Sequence, residues 1–145
     1  MEFFKKLFGL NTSTAPSNDD WGQTDLIYVV LPEPLDPMDR GERYEDPIEA
    51  ELKLSQLGYV SGGGSSLSDE RPDGSRDVEW CGIDVDTINI DKCRALLRRH
   101  LPELGCLAGT QLQFRAGDIP LQDEFDGDTW QLNFPRTDMH PGFGV

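Results

Sequence analysis

The sequence contains no apolar run approaching the ~20 residues that a membrane-spanning helix needs, so no integral membrane segment is expected. Positive charge is scarce. Thirteen Lys and Arg stand against 27 Asp and Glu, a formal net charge of −14. That balance argues against nucleic acid, whose phosphates require Lys and Arg, and against holding an anionic membrane through the body of the domain. Cysteine is limited to Cys81, Cys93 and Cys106, with no CxxC and one left over in any pairing, which suits a reducing, cytoplasmic setting. Histidine is limited to His100 and His140. This leaves few partners for a nucleophilic Ser or Cys. Met1–Leu10 has two lysines, but its apolar part is short and no cleavage pattern follows, so a signal peptide is not expected.

What is present fits one domain: 145 residues can bury a core without metal or disulfide staples. The charge is uneven, with 5 basic and 19 acidic residues over 11–91 but 5 basic and 1 acidic over 92–115. An acidic face with one basic element speeds capture of a cationic partner. The plainer reading is a solubilising surface.

Along the chain, Met1–Leu10 (MEFFKKLFGL) has the spacing of a short amphipathic helix, either packed on its own domain or acting as an anchor or docking peptide. Residues 11–24 read as a polar linker. Asp25–Leu31 (DLIYVVL) is a buried strand closed by Pro32, and the proline-bearing, charged stretch to Glu45 reads as loop. Asp46–Gly58 predicts a helix with Asp46 as N-cap, Pro47 in the first turn, Glu49 closing a capping box and Gly58 as the stop. Tyr59–Leu67 predicts a glycine-bearing strand or turn, Ser68–Asp77 a polar hairpin connection, and Val78–Val85 a strand with Cys81, Ile83 and Val85 on one side. A second helix is expected from an Asp91 cap to about Leu101, then a strand over Thr110–Arg115. Asp128–Phe134 could add a fifth strand, with Trp130, Leu132 and Phe134 on one side.

The resulting order is β-α-β-β-α-β. It predicts an α+β, ferredoxin-like plait: a four- or five-stranded antiparallel sheet with two helices on one face. The single domain spans 25–134, followed by a C-terminal tail over 135–145.

Gly62–Gly64 with Ser65 and Ser66 follows a helix instead of leading into one and lacks a P-loop Lys, so a bulge or close backbone approach outweighs phosphate binding. The acidic groups Asp84/Asp86 and Asp123, Glu124, Asp126, Asp128 miss the spacing of a calcium loop, and no metal or other cofactor is assigned. No carboxylate pair or nucleophile–base pair is marked, so no catalytic residue is assigned and the chain reads as a non-enzyme. Arg94, Arg98 and Arg99 lie at helical spacing, and pairing with the protein's own acids outweighs an external acidic partner. Trp80 shares a strand face with Asp84 and Asp86. If the helices cover the Cys81 side, an aromatic anchor stands among carboxylates on the open side. The candidate partner-binding set is therefore Trp80, Asp84 and Asp86, rimmed by Asp69, Glu70, Asp73 and Asp77.

GYVSGGG (Gly58–Gly64), GIDVD (Gly82–Asp86) and LPELGCLAGTQLQF (Leu101–Phe114), with the opening MEFFKKLFG, resemble a type of small bacterial ferredoxin-like immunity protein. The resemblance covers about residues 25–115 and rests on turn and cap patterns. It implies an inhibitor that neutralises a bacterial toxin by direct binding, and it carries no functional residue with it. The expectation is a binding protein whose partner is a basic toxin or effector. A small-ligand-sensing regulatory domain acting as a homodimer is the alternative.

Overall fold

The computed structural model describes residues 21–136. The expected helix over Met1–Leu10, the linker up to residue 20 and the tail beyond Arg136 (with His140) lie outside them. In chain order the elements are β1 (Asp25–Leu31), α1 (Pro37–Arg40), a π-helical segment (Gly41–Glu45), α2 (Asp46–Leu54), β2 (Gly58–Leu67), β3 (Val78–Thr87), α3 (Ile90–Glu103), β4 (Gln111–Ala116), β5 (Ile119–Phe125) and β6 (Trp130–Pro135). The strands form one antiparallel sheet in the order β2-β3-β1-β4-β5-β6.

The chain is α+β, as its patterning implies, but the sheet has six strands and not four or five. The added strand is β5. Its central inward position is a carboxylate, Asp123, with no exposed surface. That residue disguises the alternation of a half-buried strand as an acidic cluster.

Ile27, Val29 and Leu31 of β1, Cys81, Ile83 and Val85 of β3, and Leu112 and Phe114 of β4 face one core. From the other side Tyr44, Ile48 and Leu52 pack against it with Leu97 and Leu101 of α3. Each such side chain contributes about 1.5–3 kcal/mol on burial. Among the described residues the opposite face of the sheet carries no helix.

Three helix boundaries differ from the sequence reading. Helical structure starts at Pro37, inside the expected loop, with Asp36 as N-cap: its Oδ1 accepts the Asp39 N–H at 2.8 Å. It runs on through the π segment, where the Asp46 N–H reaches back to the Gly41 carbonyl. That widened turn comes just before Pro47, which has no N–H to give the regular ladder. Asp46 is thus mid-run and not a cap. Glu49 closes no box and accepts the Val60 N–H from β2 at 2.8 Å. The run ends at Leu54, with Gln56 in the left-handed region at φ 55°. Gly58 belongs to β2, where a Cβ would collide with the Asp86–Thr87 backbone. In α3 the N-cap is Asn89 and not Asp91, its Oδ1 accepting the Lys92 N–H at 3.0 Å.

The expected common side for Trp130, Leu132 and Phe134 is also corrected. A register shift between β5 and β6 and Asn133 at φ 63° break the alternation. Trp130 turns inward onto Phe125 (ring centroids 5.1 Å apart) and donates its indole N–H to the Arg98 carbonyl at 2.9 Å. Leu132 and Phe134 stay exposed.

Candidate partner-binding face

Strand β3 alternates cleanly through its second half: Cys81, Ile83 and Val85 enter the core, so Trp80, Gly82, Asp84 and Asp86 take the open face. Opposite them on β1 stand Val30 (to Gly82), Tyr28 (to Asp84) and Leu26 (to Asp86). Tyr28 is only 7% exposed although no helix of the described residues covers it. Its ring lies over Gly82, where any Cβ would collide with the phenol. Glycine here allows an aromatic ring to cover the backbone. Trp80 stands edge-on to that ring at 6.5 Å and 73° and keeps 37% of its surface in solvent. Burial first, then the Asp84 carboxylate, push the Tyr28 phenol above its ordinary pKa, so it stays protonated at neutral pH.

Asp84 and Asp86 are half-buried. Asp86 accepts a hydrogen bond from the Thr24 hydroxyl at 3.0 Å, so part of its role is to hold the start of β1. Trp21, placed in a linker by composition, is buried against Tyr59 of β2 with ring centroids 6.2 Å apart.

The rim loop carries less free charge than its composition suggests. Asp77 pairs with Arg71, Glu70 lies 3.8 Å from Arg76, and Asp73 accepts from both the backbone N–H (2.9 Å) and hydroxyl (2.6 Å) of Ser75. The Ser75 bonds hold the Asp73 pKa below the usual carboxylate range. Asp69 is exposed at the loop's start. The structure brings Trp80, Asp84 and Asp86 onto one strand face, while Asp69, Glu70, Asp73 and Asp77 form a hairpin tip that largely satisfies itself.

The far half of the open face is different. The Gln113 side-chain amide donates to Gln111 at 3.1 Å, and those of Gln111 and Gln122 both donate to Glu124 at 3.3 Å. This polar ladder binds its own groups together. The aromatic and acidic groups of this face lie instead over β3 and β1.

The basic helix points the other way. Arg94 forks onto Asp123 at 2.9 and 2.7 Å, lies 3.8 Å above the Phe114 ring and also donates to Asn133 at 3.0 Å. Arg98 reaches the same carboxylate at 3.2 Å, and Arg99 reaches Glu51 at 3.5 Å. The arginines thus pair with the protein's own acids. Asp123, the partner of Arg94 and Arg98, is invisible to sequence reading because a lone Asp in an acidic stretch gives no sign of burial. A second buried pairing joins Tyr44 to Glu33 at 2.5 Å and Glu33 to Arg43 at 3.1 Å.

All three thiols are buried, and burial raises the pKa of each, that of Cys93 to about 12. A thiol held neutral is a poor nucleophile. His100 lies 3.3 Å from Glu103 at the end of α3. Among the described residues no cluster of three or more His, Cys, Asp or Glu could hold a metal ion, and no helix is long and apolar enough to cross a membrane. Beside the first turns of α3 an open groove of about 850 Å³ is lined by both signs of charge: Asp25, Asp86 and Asp91 against Arg94 and Arg115. No protein family, no curated protein and no solved structure matches the chain.

Proposed function

We propose that this chain is a non-catalytic binding protein of the immunity type, which neutralises a basic toxin by covering it with the open face of the sheet. We read β1 to β4, with their two helical crossovers and the order β2-β3-β1-β4, as a ferredoxin-like plait extended by the β5–β6 hairpin. The observation that carries the reading is Trp80: a large aromatic with 37% of its surface in solvent, braced edge-on by Tyr28 and sharing its face with Asp84 and Asp86. A braced aromatic loses little entropy on docking, and the surrounding acids speed encounter with a cation. A net charge of −14 supplies the long-range field.

The test is capture of proteins from the native cell lysate on immobilised wild-type chain and on Trp80→Ala, at low and moderate salt. The reading expects one basic protein, retained by wild type, weakened by salt and lost with Trp80→Ala. Its activity, once purified, should be abolished at one chain per toxin. A captured protein whose activity is untouched would remove the inhibitor reading.

The groove beside α3 favours a second reading, a small-ligand-sensing domain. Its mixed charges suit a small zwitterion, and a ligand held there at a hundred times its Kd would stabilise the fold by about 2.7 kcal/mol. A thermal-shift series with free amino acids distinguishes the two readings: a saturable rise in melting temperature favours sensing.

A further inference from the structure

The two edges of the sheet are finished in different ways. At the β6 edge, Asn133 sits at φ 63°, its N–H is turned inward to Asp123 at 3.0 Å, and Pro135 offers no donor. These features break the row of groups that a further strand would need. The β2 edge has ten residues, and from Ser61 to Ser66 (SGGGSS) it carries neither charge nor proline. Its only recorded guard among the described residues is Glu49, on the Val60 N–H.

The register shows which backbone groups face outward. Val60 donates to Glu49, so it points away from its partner Val85 in β3. Alternation along β3 then turns the backbone of Asp84 and Gly82 toward β2 and that of Ile83 and Cys81 toward β1. The Ser61 hydroxyl, which donates to the Asp84 carbonyl at 3.4 Å, agrees with this. Gly62 and Gly64 therefore bond inward to β3. Gly63 and Ser65 present their N–H and C=O groups off the edge.

We propose that β2 pairs antiparallel with β2 of a second copy of this chain, about a two-fold axis at Gly64, joining the two sheets into one. This goes beyond the toxin-binding reading and does not depend on it. In that register Gly63 lies opposite the partner's Ser65, Gly64 opposite the partner's Gly64, and Ser66 opposite the partner's Gly62. From Gly62 to Ser66 every facing pair is small and uncharged, so two strongly acidic chains meet along a segment with no like charges opposed. Trp80, which pairs with Ser66, falls in one row with the partner's Asp84, which pairs with Gly62. The two open faces become continuous. The remaining repulsion between the acidic bodies is long-range, so salt strengthens this contact, whereas it weakens capture of a cationic protein.

The experiment is sedimentation velocity of the full chain at moderate salt, comparing wild type with three variants. Gly64→Lys places its Cβ where nothing lies within 4 Å in the single chain, but sets two ammonium groups face to face across the axis. Ser65→Pro removes an outward N–H that the sheet does not use, and Ser65→Ala keeps it. The expected result is a dimer for wild type and Ser65→Ala, and association at least tenfold weaker for Gly64→Lys and Ser65→Pro. Circular dichroism shows whether each variant is folded, and if Ser65→Pro unfolds, Gly64→Lys alone decides. A monomeric wild type, or a dimer unaffected by Gly64→Lys, overturns the proposal.

Discussion

The two faces of the sheet treat charge and aromatic groups in opposite ways. On the helix side, two arginines, a fully buried aspartate and an asparagine are locked by fork-like bonds, and Trp130 is sealed against Phe125. On the other side, Trp80 remains partly in solvent, and Asp84 and Asp86 are half-buried on a strand that no helix of the described residues covers. Similar residue types thus lock one face together, while on the other Trp80 keeps part of its surface in solvent. Among the described residues, what separates the faces is a covering helix layer, not composition.

The sharpest way to break this contrast is to remove the covered carboxylate. Asp123→Ala leaves Arg94 and Arg98 without their shared counter-ion while Arg94 remains buried, and should cost about 3–5 kcal/mol in urea melts. A loss below ~1 kcal/mol would show that the pairing is no more than a surface bridge.

Gly82→Ala should rank next, since its Cβ meets the Tyr28 ring from the open side. A cost of about 1–3 kcal/mol is expected, shrinking when Tyr28→Ser is introduced as well. Equal costs in both backgrounds would mean that the ring does not define the surface beside Trp80.

Alkaline pH probes the covered face without mutation. The Cys93 thiol has its pKa raised by burial from 9.0 to about 12. It stays neutral in the folded chain while it ionises in the unfolded one. Stability on this account is fully present below pH 9 and falls as pH rises from 9 toward about 12. Cys93→Ala should flatten that slope in melts at pH 8 and pH 10. An unchanged slope would assign it to the other groups that burial raises, Cys81, Cys106, Tyr28 and Tyr44, the last also held by its bond to Glu33.

Trp80→Ala should have the smallest effect on stability, about 1 kcal/mol or less, because its one ring contact among the described residues is the edge-on approach to Tyr28. A larger loss would place Trp80 with the core and remove it as a docking group.

Much of this contrast was legible in the sequence, and the exceptions are physical. Strict alternation in β3 assigned Cys81, Ile83 and Val85 to the core and Trp80, Asp84 and Asp86 to the other side. Helix starts were misplaced at Asp46 and Asp91 because Asp and Pro are common both at caps and within first turns. The caps used, Asp36 and Asn89, lie in stretches rich in such residues. Strand β5 was missed because its central inward residue is charged, and a buried charge is recognisable only with its partners. Those partners, Arg94 and Arg98, lie 29 and 25 positions away in the chain. The closure of the rim loop on itself depends on Arg71 and Arg76 folding back over a turn at Gly74, which composition does not encode.

The central claim is that the open face is a docking surface built around Trp80. Its most direct test is titration calorimetry of the captured basic protein against wild type, Trp80→Ala and Asp84→Asn, with the folded state of each confirmed by its melting curve. The account predicts that Trp80→Ala loses at least tenfold in affinity, about 1.4 kcal/mol, and that Asp84→Asn loses less and shows a weaker salt dependence. Equal affinity for wild type and a well-folded Trp80→Ala would contradict it and move the docking surface off this face.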